Sequence, residues 1–418
     1  MEEFREAAAK WIKTIAVFIK WVLLASVVGS IVGVMGVLFH FSVEKVTELQ
    51  TSYPWLLFLL PVGGIVIVLL YRVCGMEKDM GTNTILEAVR GEHALHVRTA
   101  PLIFISTVIT HLLGGSSGRE GAALQIGGSM GGKLADLLDL DQREHQVMIM
   151  CGMSTCFSAL FGTPLTATIF AIEVVSVGLM HYAALVPCIT GALIGYGISR
   201  IFGIAPTAFA ISGIPSMEFS AVAKVVILSL LCALLSQAFC ITMHTVSKLY
   251  KKYLPNQLLR AAVGGVLVIV LTLLIGNRDY NGAGMPVIVR AMEGQAEPLA
   301  FLFKLLLTAV TLGAGFKGGE IVPTFFVGAT FGCVVGPLLG LDPSFAAGVG
   351  LVALFCGVIN CPVASFTLAV ELFGGDGVIF FGIASAIGYM LSGYYGLYSG
   401  QKIVYSKLEA KFIDVHCD

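Results

Sequence analysis

The chain has 418 residues, a formal net charge of −1, 57% hydrophobic residues and only 12% charged residues. Soluble globular proteins carry roughly 25% charged residues, so this composition, with a mean hydropathy of +0.90, excludes an ordinary soluble protein and predicts a membrane protein. The near-zero net charge also argues against nucleic acid as a partner.

The first twenty residues are charged and amphipathic. They have neither an apolar core directly behind a basic start nor the small-residue cleavage site of a signal peptide. We therefore expect residues 1–20 to form a retained interfacial helix that precedes the first membrane span.

Apolar runs follow along the whole chain. They include 21–41, 55–71, 102–113, 225–239, 261–275 and 348–358. Several are shorter than the roughly 20 residues that a helix needs to cross a bilayer. Short segments interrupted by glycine or proline predict broken or re-entrant helices, which are tolerated where they are buried in protein or line a cavity.

The glycine-rich segment 114–125 places Arg119 and Glu120 between two apolar stretches. A glycine loop followed by an apolar helix leaves free backbone N–H groups at a positive helix end, where an anion can bind. The carboxylate of Glu120 could occupy the anion's position and leave it on protonation, which predicts a gate coupled to protons. The alternative is a structural ion pair between Glu120 and Arg119.

An internal repeat relates the two halves of the chain. The spacing from Pro164 to Glu173 equals that from Pro362 to Glu371, and His40 is matched by His244. Because the displacement is about 200 residues, we expect one half over 21–215 and a second over 216–418.

Basic residues predict opposite orientations for the two halves. The first span follows Arg5, Lys10, Lys13 and Lys20, whereas its counterpart ends at Lys248, Lys251 and Lys252. Cytoplasmic loops are enriched in lysine and arginine, so the first span should run outward and its counterpart inward. Such inverted repeats place an ion site near the bilayer midplane. We expect an integral protein of the plasma (cell) membrane with both termini in the cytoplasm.

Three motifs then resemble the CLC superfamily of chloride channels and anion/proton antiporters. They are Gly118-Arg119-Glu120-Gly121, Gly319-Glu320-Ile321-Val322-Pro323 and Leu397-Tyr398-Ser399. They match the gating-glutamate motif, the second filter loop and the C-terminal filter tyrosine of that family. The resemblance implies an all-α polytopic membrane protein with a CLC-type inverted repeat of broken and tilted helices. It also implies a homodimer with a pore in each subunit.

Three departures from the chloride-transporting pattern resemble the fluoride-exporting CLC-F branch. Met80 stands where the first filter loop has a serine, Val174 where exchangers have an internal proton-transfer glutamate, and Glu320 where the second loop has an apolar residue. Members of that branch exchange fluoride for protons. The resemblance therefore implies a fluoride/proton antiporter that is not an enzyme and needs no cofactor or metal.

The site residues follow from the same resemblance. Glu120 and Glu320 would handle protons, and their protonation would be coupled because both carboxyls face one anion path. The anion-binding positions would be Met80, Gly81, Asn83, Gly118, Arg119, Gly121, Ile321, Val322, Phe325, Phe326 and Tyr398.

Several of these residues also have a structural interpretation. Glu320 could cap its own helix, Asn83 could do the same, and Tyr398 could be an interfacial anchor. Phe325 and Phe326 could simply pack in the core. The ten cysteines lack metal-ligand spacing and are expected to be small buried hydrophobes.

Two other functions stay open. One is a chloride/proton exchanger or a passive anion channel of the same superfamily. The other belongs to a different class, since Gly115-Ser116-Ser117-Gly118 resembles the serine motif of intramembrane rhomboid-type proteases. A hydrolase would need a histidine base within reach of the serine, and the nearby candidate is His111.

Overall fold

The computed structural model describes residues 1–417, and within them most of the chain is α-helix. The first eight helices are α1 (Glu2–Ser52), α2 (Leu60–Val73), α3 (Thr82–Val89), α4 (Thr99–Leu112), α5 (Glu120–Leu137), α6 (Gln142–Phe161), α7 (Pro164–Glu173) and α8 (Leu185–Ile201). The next eight are α9 (Phe219–Tyr253), α10 (Gln257–Ile275), α11 (Met285–Met292), α12 (Ala300–Gly313), α13 (Ile321–Val335), α14 (Pro343–Ile359), α15 (Pro362–Phe373) and α16 (Val378–Leu391).

Helix α1 runs without a break from the N-terminal residues into the first apolar run. The helix boundary predicted at Lys20 is therefore wrong. Neither glycine nor proline lies near Lys20, so nothing ends the helix there. The side chains described between Glu3 and Lys20 are exposed, which separates this stretch from the packed remainder of α1.

The chain contains both long and short apolar helices. Within residues 1–417, six helical stretches are long and apolar enough to cross a membrane. Another six apolar helices have only 10–17 residues: α4, α7, α12, α14, α15 and α16. The prediction of an all-α polytopic protein with short, broken helices is confirmed.

The first eight helices contact one another in the same pattern as the last eight. Helix α1 contacts α6 and α8 as α9 contacts α14 and α16, and α5 packs on α6 as α13 packs on α14. The sets also meet each other through α2 with α10 and α7 with α15. The boundary expected at residues 215 and 216 falls in the connection between α8 and α9.

Helices α7 and α15 cap one another through the two glutamates of the sequence repeat. Glu173, at the end of α7, accepts hydrogen bonds from Val363 N (3.1 Å) and Ala364 N (2.7 Å) at the start of α15. Glu371 in α15 accepts from the backbone N–H groups of the second and third residues of α7, at 2.9 and 2.8 Å. The equal spacing from proline to glutamate thus lets each carboxylate satisfy the free N–H groups of the other helix.

A small sheet, absent from the sequence-based prediction, closes the C-terminal end. Strand β1 (Ser176–Val177) pairs in parallel with β2 (Lys402–Tyr405), which pairs antiparallel with β3 (Phe412–His416). A loop residue, Glu92, holds this sheet through Lys402 Nζ (2.8 Å) and is itself paired with Arg90 (2.7 Å). Hydrogen bonds from Arg90 and Lys402 lower the pKa of the Glu92 carboxyl to about 2.

Candidate functional site

The two glycine loops of the repeat meet at the centre of the molecule. Gly118 N donates to Gly319 O (2.6 Å) and Gly319 N donates to Gly118 O (2.7 Å), an isolated antiparallel bridge between the two halves. A Cβ on Gly319 would lie 2.6 Å from Gly121 N and 2.8 Å from Glu120 N. Only glycine allows this approach, which brings the starts of α5 and α13 together.

Glu120 lies at this junction and is 1% exposed. Its Oε2 accepts from Arg119 N (3.0 Å) and from Val322 N (3.4 Å), an amide at the start of α13. Its Oε1 lies 4.0 Å from Arg119 Nε and has no hydrogen-bond partner among residues 1–417. The carboxylate therefore rests on backbone amides from both halves, and the ion pair with Arg119 is at the limit of contact.

Glu320 directly precedes α13, as its N-cap residue, but its side chain makes no capping hydrogen bond. Its Oε2 is buried and has no hydrogen-bond partner in the described part of the chain. A Cβ on Gly121 would lie 3.3 Å from this oxygen and 3.3 Å from Thr82 Oγ1. The helix-cap interpretation is therefore not supported, because the carboxyl points across the junction toward α5.

Tyr398 is 2% exposed, and its hydroxyl is buried with no hydrogen-bond partner within the described residues. The hydroxyl is close enough to both Glu320 and Glu120 to interact with them electrostatically. An interfacial anchor keeps its polar end in water or head groups. The position of Tyr398 therefore contradicts the anchor interpretation and brings its O–H donor to the junction.

The first filter loop, 79–83, packs against the segment that follows Tyr398. Asn83 Oδ1 accepts from Gly400 N (2.8 Å), so it ties that segment down and caps no amide of its own helix. Gly81 adopts φ +66°, a conformation that favours glycine. The side chain of Met80 is 47% exposed, so it lies at an open edge of the junction.

The two phenylalanines after the second filter loop are in different surroundings. Phe325 packs edge-on against Phe161 and Phe355, with ring centroids 6.1 and 5.0 Å away. Phe326 packs on Tyr280, and Lys304 Nζ lies 5.3 Å from the centre of its ring. Core packing explains Phe325, whereas Phe326 also contacts a buried cation.

Several polar side chains at this junction were not singled out from the sequence. Asp79, in the first filter loop, pairs with Lys317 (3.4 Å), which lies just before the second loop. Gln125 Nε2 donates to Gly121 O (3.2 Å) and Thr82 Oγ1 (3.4 Å). Ser117 Oγ is buried with no partner in the described chain. A charge or amide close to glycine or other small residues was the sequence signal that could have identified Asp79, Lys317 and Gln125, whereas Ser117 was considered only as part of the serine motif.

The position that lacks the internal glutamate is closed by side chains near the C-terminus. Val174 is fully buried, and its carbonyl accepts from Gln401 Nε2 (2.8 Å). Gln401 also donates to Ile359 O (3.0 Å) and meets Asn360, to which Lys407 donates. These hydrogen bonds of Gln401, Asn360 and Lys407 within residues 1–417 involve no carboxylate.

The serine motif does not form a hydrolase site. Ser116 Oγ donates to Tyr280 O (2.8 Å) and lies 3.0 Å from Thr308 Oγ1. His111 Nε2 lies 3.2 Å from Gly118 O, so its contact is with a backbone carbonyl. Across residues 1–417, no hydrogen bond links this histidine to either serine.

Comparison with known proteins decides the family. A family model described as "Voltage gated chloride channel" matches residues 62–393. A chloride/fluoride channel protein of Pseudomonas syringae pv. tomato is 34% identical over 395 residues, which cover 93% of this chain and 87% of the relative. The chain belongs to the CLC family. Members of that family are channels and transporters, so the family match does not support the protease alternative.

Solved CLC structures have the same architecture. The crystal structure of a CLC-type fluoride/proton antiporter aligns with a TM-score of 0.88 at 28% identity, covering 91% of this chain and 97% of that one. A slow cyanobacterial Cl⁻/H⁺ antiporter shares the fold, with a TM-score of 0.76, 20% identity and coverage of 89% and 94%. An H⁺/Cl⁻ exchange transporter of Vibrio campbellii is 23% identical over 84% of this chain and 81% of the relative.

Proposed function

We propose that this CLC protein exports fluoride in exchange for inward-moving protons. The observation that carries the proposal is the position of the Glu120 carboxylate on backbone amides contributed by both halves of the chain. Amide N–H groups at helix N-termini bind anions. An acidic side chain in such a pocket excludes a mobile anion as long as it is ionised.

Protonation of Glu120 would open this pocket. A neutral carboxyl is a weaker acceptor than a carboxylate, so it leaves the amides of Arg119 and Val322 to an incoming anion. Fluoride is small and strongly hydrated, and it needs close donors to replace its water. The hydroxyls of Tyr398 and Ser117, which have no partner within residues 1–417, are further donors at the same junction.

Glu320 supplies a second carboxyl for proton transfer. Its buried oxygen has no partner in the described chain, and it faces the same junction as Glu120. Because the two carboxylates would repel each other when both are ionised, protonation of one depends on the state of the other. This pair offers protons a route that avoids Val174 and the network around Gln401.

The choice of fluoride rests on Met80, Val174 and Glu320, together with the relatives. The 28% identical structure is that of a fluoride/proton antiporter. The 34% identical relative is named a chloride/fluoride channel protein, which favours a passive channel as the second candidate. Chloride/proton exchange is the third candidate, supported by the more distant exchange transporters.

The remaining expectations concern topology and assembly. An inverted repeat with halves over 21–215 and 216–418 is supported by the matching contacts of α1–α8 and α9–α16. We also propose a homodimer with one pore per subunit, placed in the plasma membrane with both termini in the cytoplasm. Light scattering of the detergent-solubilised protein and labelling of cysteines introduced near each terminus would test assembly and orientation.

One flux assay tests the proposed function. Proteoliposomes are loaded with fluoride or chloride, and anion efflux and internal pH are recorded together. Fluoride/proton exchange predicts that fluoride efflux is accompanied by internal acidification and drives protons uphill, with much weaker chloride efflux. Fluoride efflux without proton movement would identify a channel, and coupled chloride efflux a chloride exchanger.

A further inference from the structure

A lysine is completely buried beside the junction. Lys304 is the fifth residue of α12 and is 0% exposed. Its Nζ donates to Gly282 O (2.6 Å) and Tyr280 O (3.1 Å). None of the ion pairs formed within residues 1–417 includes it.

The two carbonyls that bind Lys304 also bind the glycine loop before Glu120. Ser116 Oγ donates to Tyr280 O (2.8 Å), and Ser117 N donates to Gly282 O (3.2 Å). The ammonium group is thus joined through shared acceptors to the residues that lead into the Gly118–Gly319 bridge. Lys304 therefore has a defined geometric connection to the loop that positions the gate.

Two carbonyls accept from two of the three N–H donors of the Lys304 ammonium, but carbonyl groups carry no counter-charge. A buried charge without a counter-charge is strongly destabilising. Phe326, with its ring centre 5.3 Å from Nζ, contributes a modest cation–π attraction. The carboxyl of Glu120 is close enough to interact electrostatically with the ammonium, and a bound anion at the same pocket would do so too.

We propose that Lys304 is a charge-balancing positioning residue of the anion pathway. In its ammonium form, Lys304 favours a negative charge at the neighbouring pocket, supplied in turn by ionised Glu120 and by the transported halide. A pocket that contains neither the ionised Glu120 carboxylate nor a halide is disfavoured. The two should therefore occupy the pocket in strict alternation, which suppresses uncoupled halide leak. The inference rests on the proposed gating role of Glu120 and adds a residue that would enforce it.

Two Lys304 variants separate charge from hydrogen bonding. Lys304→Gln keeps an N–H donor for the carbonyls but removes the charge, and Lys304→Arg keeps the charge. Fluoride affinity, measured by calorimetry in detergent, should fall by about tenfold in Lys304→Gln, the range expected for loss of a charged partner, and recover largely in Lys304→Arg. Lys224→Gln is the matched control, because Lys224 Nζ also donates to a loop carbonyl, Gly340 O (3.0 Å), away from the junction.

Unchanged fluoride affinity in Lys304→Gln would overturn the proposal. So would equal losses of affinity in the Gln and Arg variants together with equal losses of thermal stability, since that pattern indicates packing alone. If Lys304→Gln does not fold, the melting temperature of Glu120→Gln tests the charge-balance proposal instead. Removal of the carboxylate charge should lower the melting temperature without fluoride, and fluoride should restore it; a melting temperature independent of fluoride would contradict charge balance.

These outcomes are distinct from failure of the proposed function. Wild-type protein that releases fluoride without moving protons would refute the exchange mechanism. The affinity difference between Lys304→Gln and Lys304→Arg would still report whether this lysine balances the charge of a bound halide.

Discussion

Two pairs of glutamates have their carboxyl groups near helix N-termini where the halves meet, and the surroundings of the two pairs differ. Glu173 and Glu371 each use both carboxylate oxygens on two amides of the opposite helix. Glu120 binds amides with one oxygen only, and an oxygen of Glu320 has no partner among the described residues. A fully bonded carboxylate is held in one state, whereas a partly bonded one can change protonation and move. The first pair is therefore structural, and we propose that the second handles ions.

The largest effect is expected from Glu120→Gln. A permanently neutral side chain cannot alternate between the ionised and protonated forms, so fluoride-coupled proton uptake should fall by about 10²-fold or more. The measurement is internal pH in proteoliposomes during fluoride efflux. Glu371→Gln is the matched control and should keep the proton-to-fluoride ratio of the wild type. Persistent fluoride-driven uphill proton uptake in Glu120→Gln would contradict the distinction between a structural and an ion-handling pair of glutamates.

Glu320→Gln should uncouple transport while leaving fluoride binding within about threefold of the wild-type affinity. The substitution removes a titratable group whose oxygen has no partner in the described structure, so few native hydrogen bonds are lost. Calorimetry gives the affinity and paired flux measurements give the proton-to-fluoride ratio. An unchanged ratio would assign Glu320 a structural role instead.

The structural pair should respond in stability and not in coupling. Glu371→Ala removes the acceptor of the first free amides of α7, which should lower the free energy of unfolding by about 1–2 kcal/mol, as for other lost helix caps. Thermal unfolding in detergent measures this change. A variant as stable as the wild type, or one with an altered proton-to-fluoride ratio, would show that the two glutamate pairs are not separate in function.

Sequence reasoning found Glu120 because a charge in a glycine-rich loop before an apolar helix is unusual. A different signal, a single charge within the apolar run of α12, marked Lys304, yet it was overlooked because no motif surrounds it. The mutual capping of α7 and α15 was visible only as equal spacing. Spacing shows a repeat, but which helices pack antiparallel depends on tertiary contacts.

Other differences also have local causes. The helix boundary at Lys20 was misplaced because a change in composition does not end a helix when capping or breaking residues are missing. The all-α class was predicted correctly, but the C-terminal sheet depends on pairing of β1 with residues more than half the chain away. Pairing at that distance leaves little local pattern.

Tyr398→Phe should weaken fluoride binding by about threefold to tenfold, the effect of losing one hydrogen-bond donor. Its hydroxyl has no partner within residues 1–417, so thermal stability should change little. Tyr395→Phe, nearby in the chain and only half-buried, is the control and should bind fluoride normally. Equal fluoride affinities of the two variants would indicate that Tyr398 serves only in packing.

The smallest effect is expected at Glu92, outside the membrane. Its pKa of about 2 lies below the ordinary value, so its stabilising contribution is fully present above about pH 4.5 and is lost as pH falls toward 2. Solvent screening limits it to less than about 1 kcal/mol. Hydrogen exchange in β2 and β3 should be faster in Glu92→Gln than in wild type at pH 7, with the difference shrinking toward pH 2. A difference in exchange rate that stays constant between pH 7 and pH 2 would show that the ion pairs of Glu92 do not cause the stabilisation.

Infrared difference spectroscopy of fluoride binding tests the competition at Glu120 most directly. If fluoride displaces the carboxylate by way of its protonated form, fluoride addition should produce the C=O stretching band of a neutral carboxyl. That band should be lost or much reduced in Glu120→Gln and preserved in Glu371→Gln. Fluoride binding without a new carboxyl band in wild-type protein, or an undiminished band in Glu120→Gln, would contradict the proposal that this residue and the anion share one pocket.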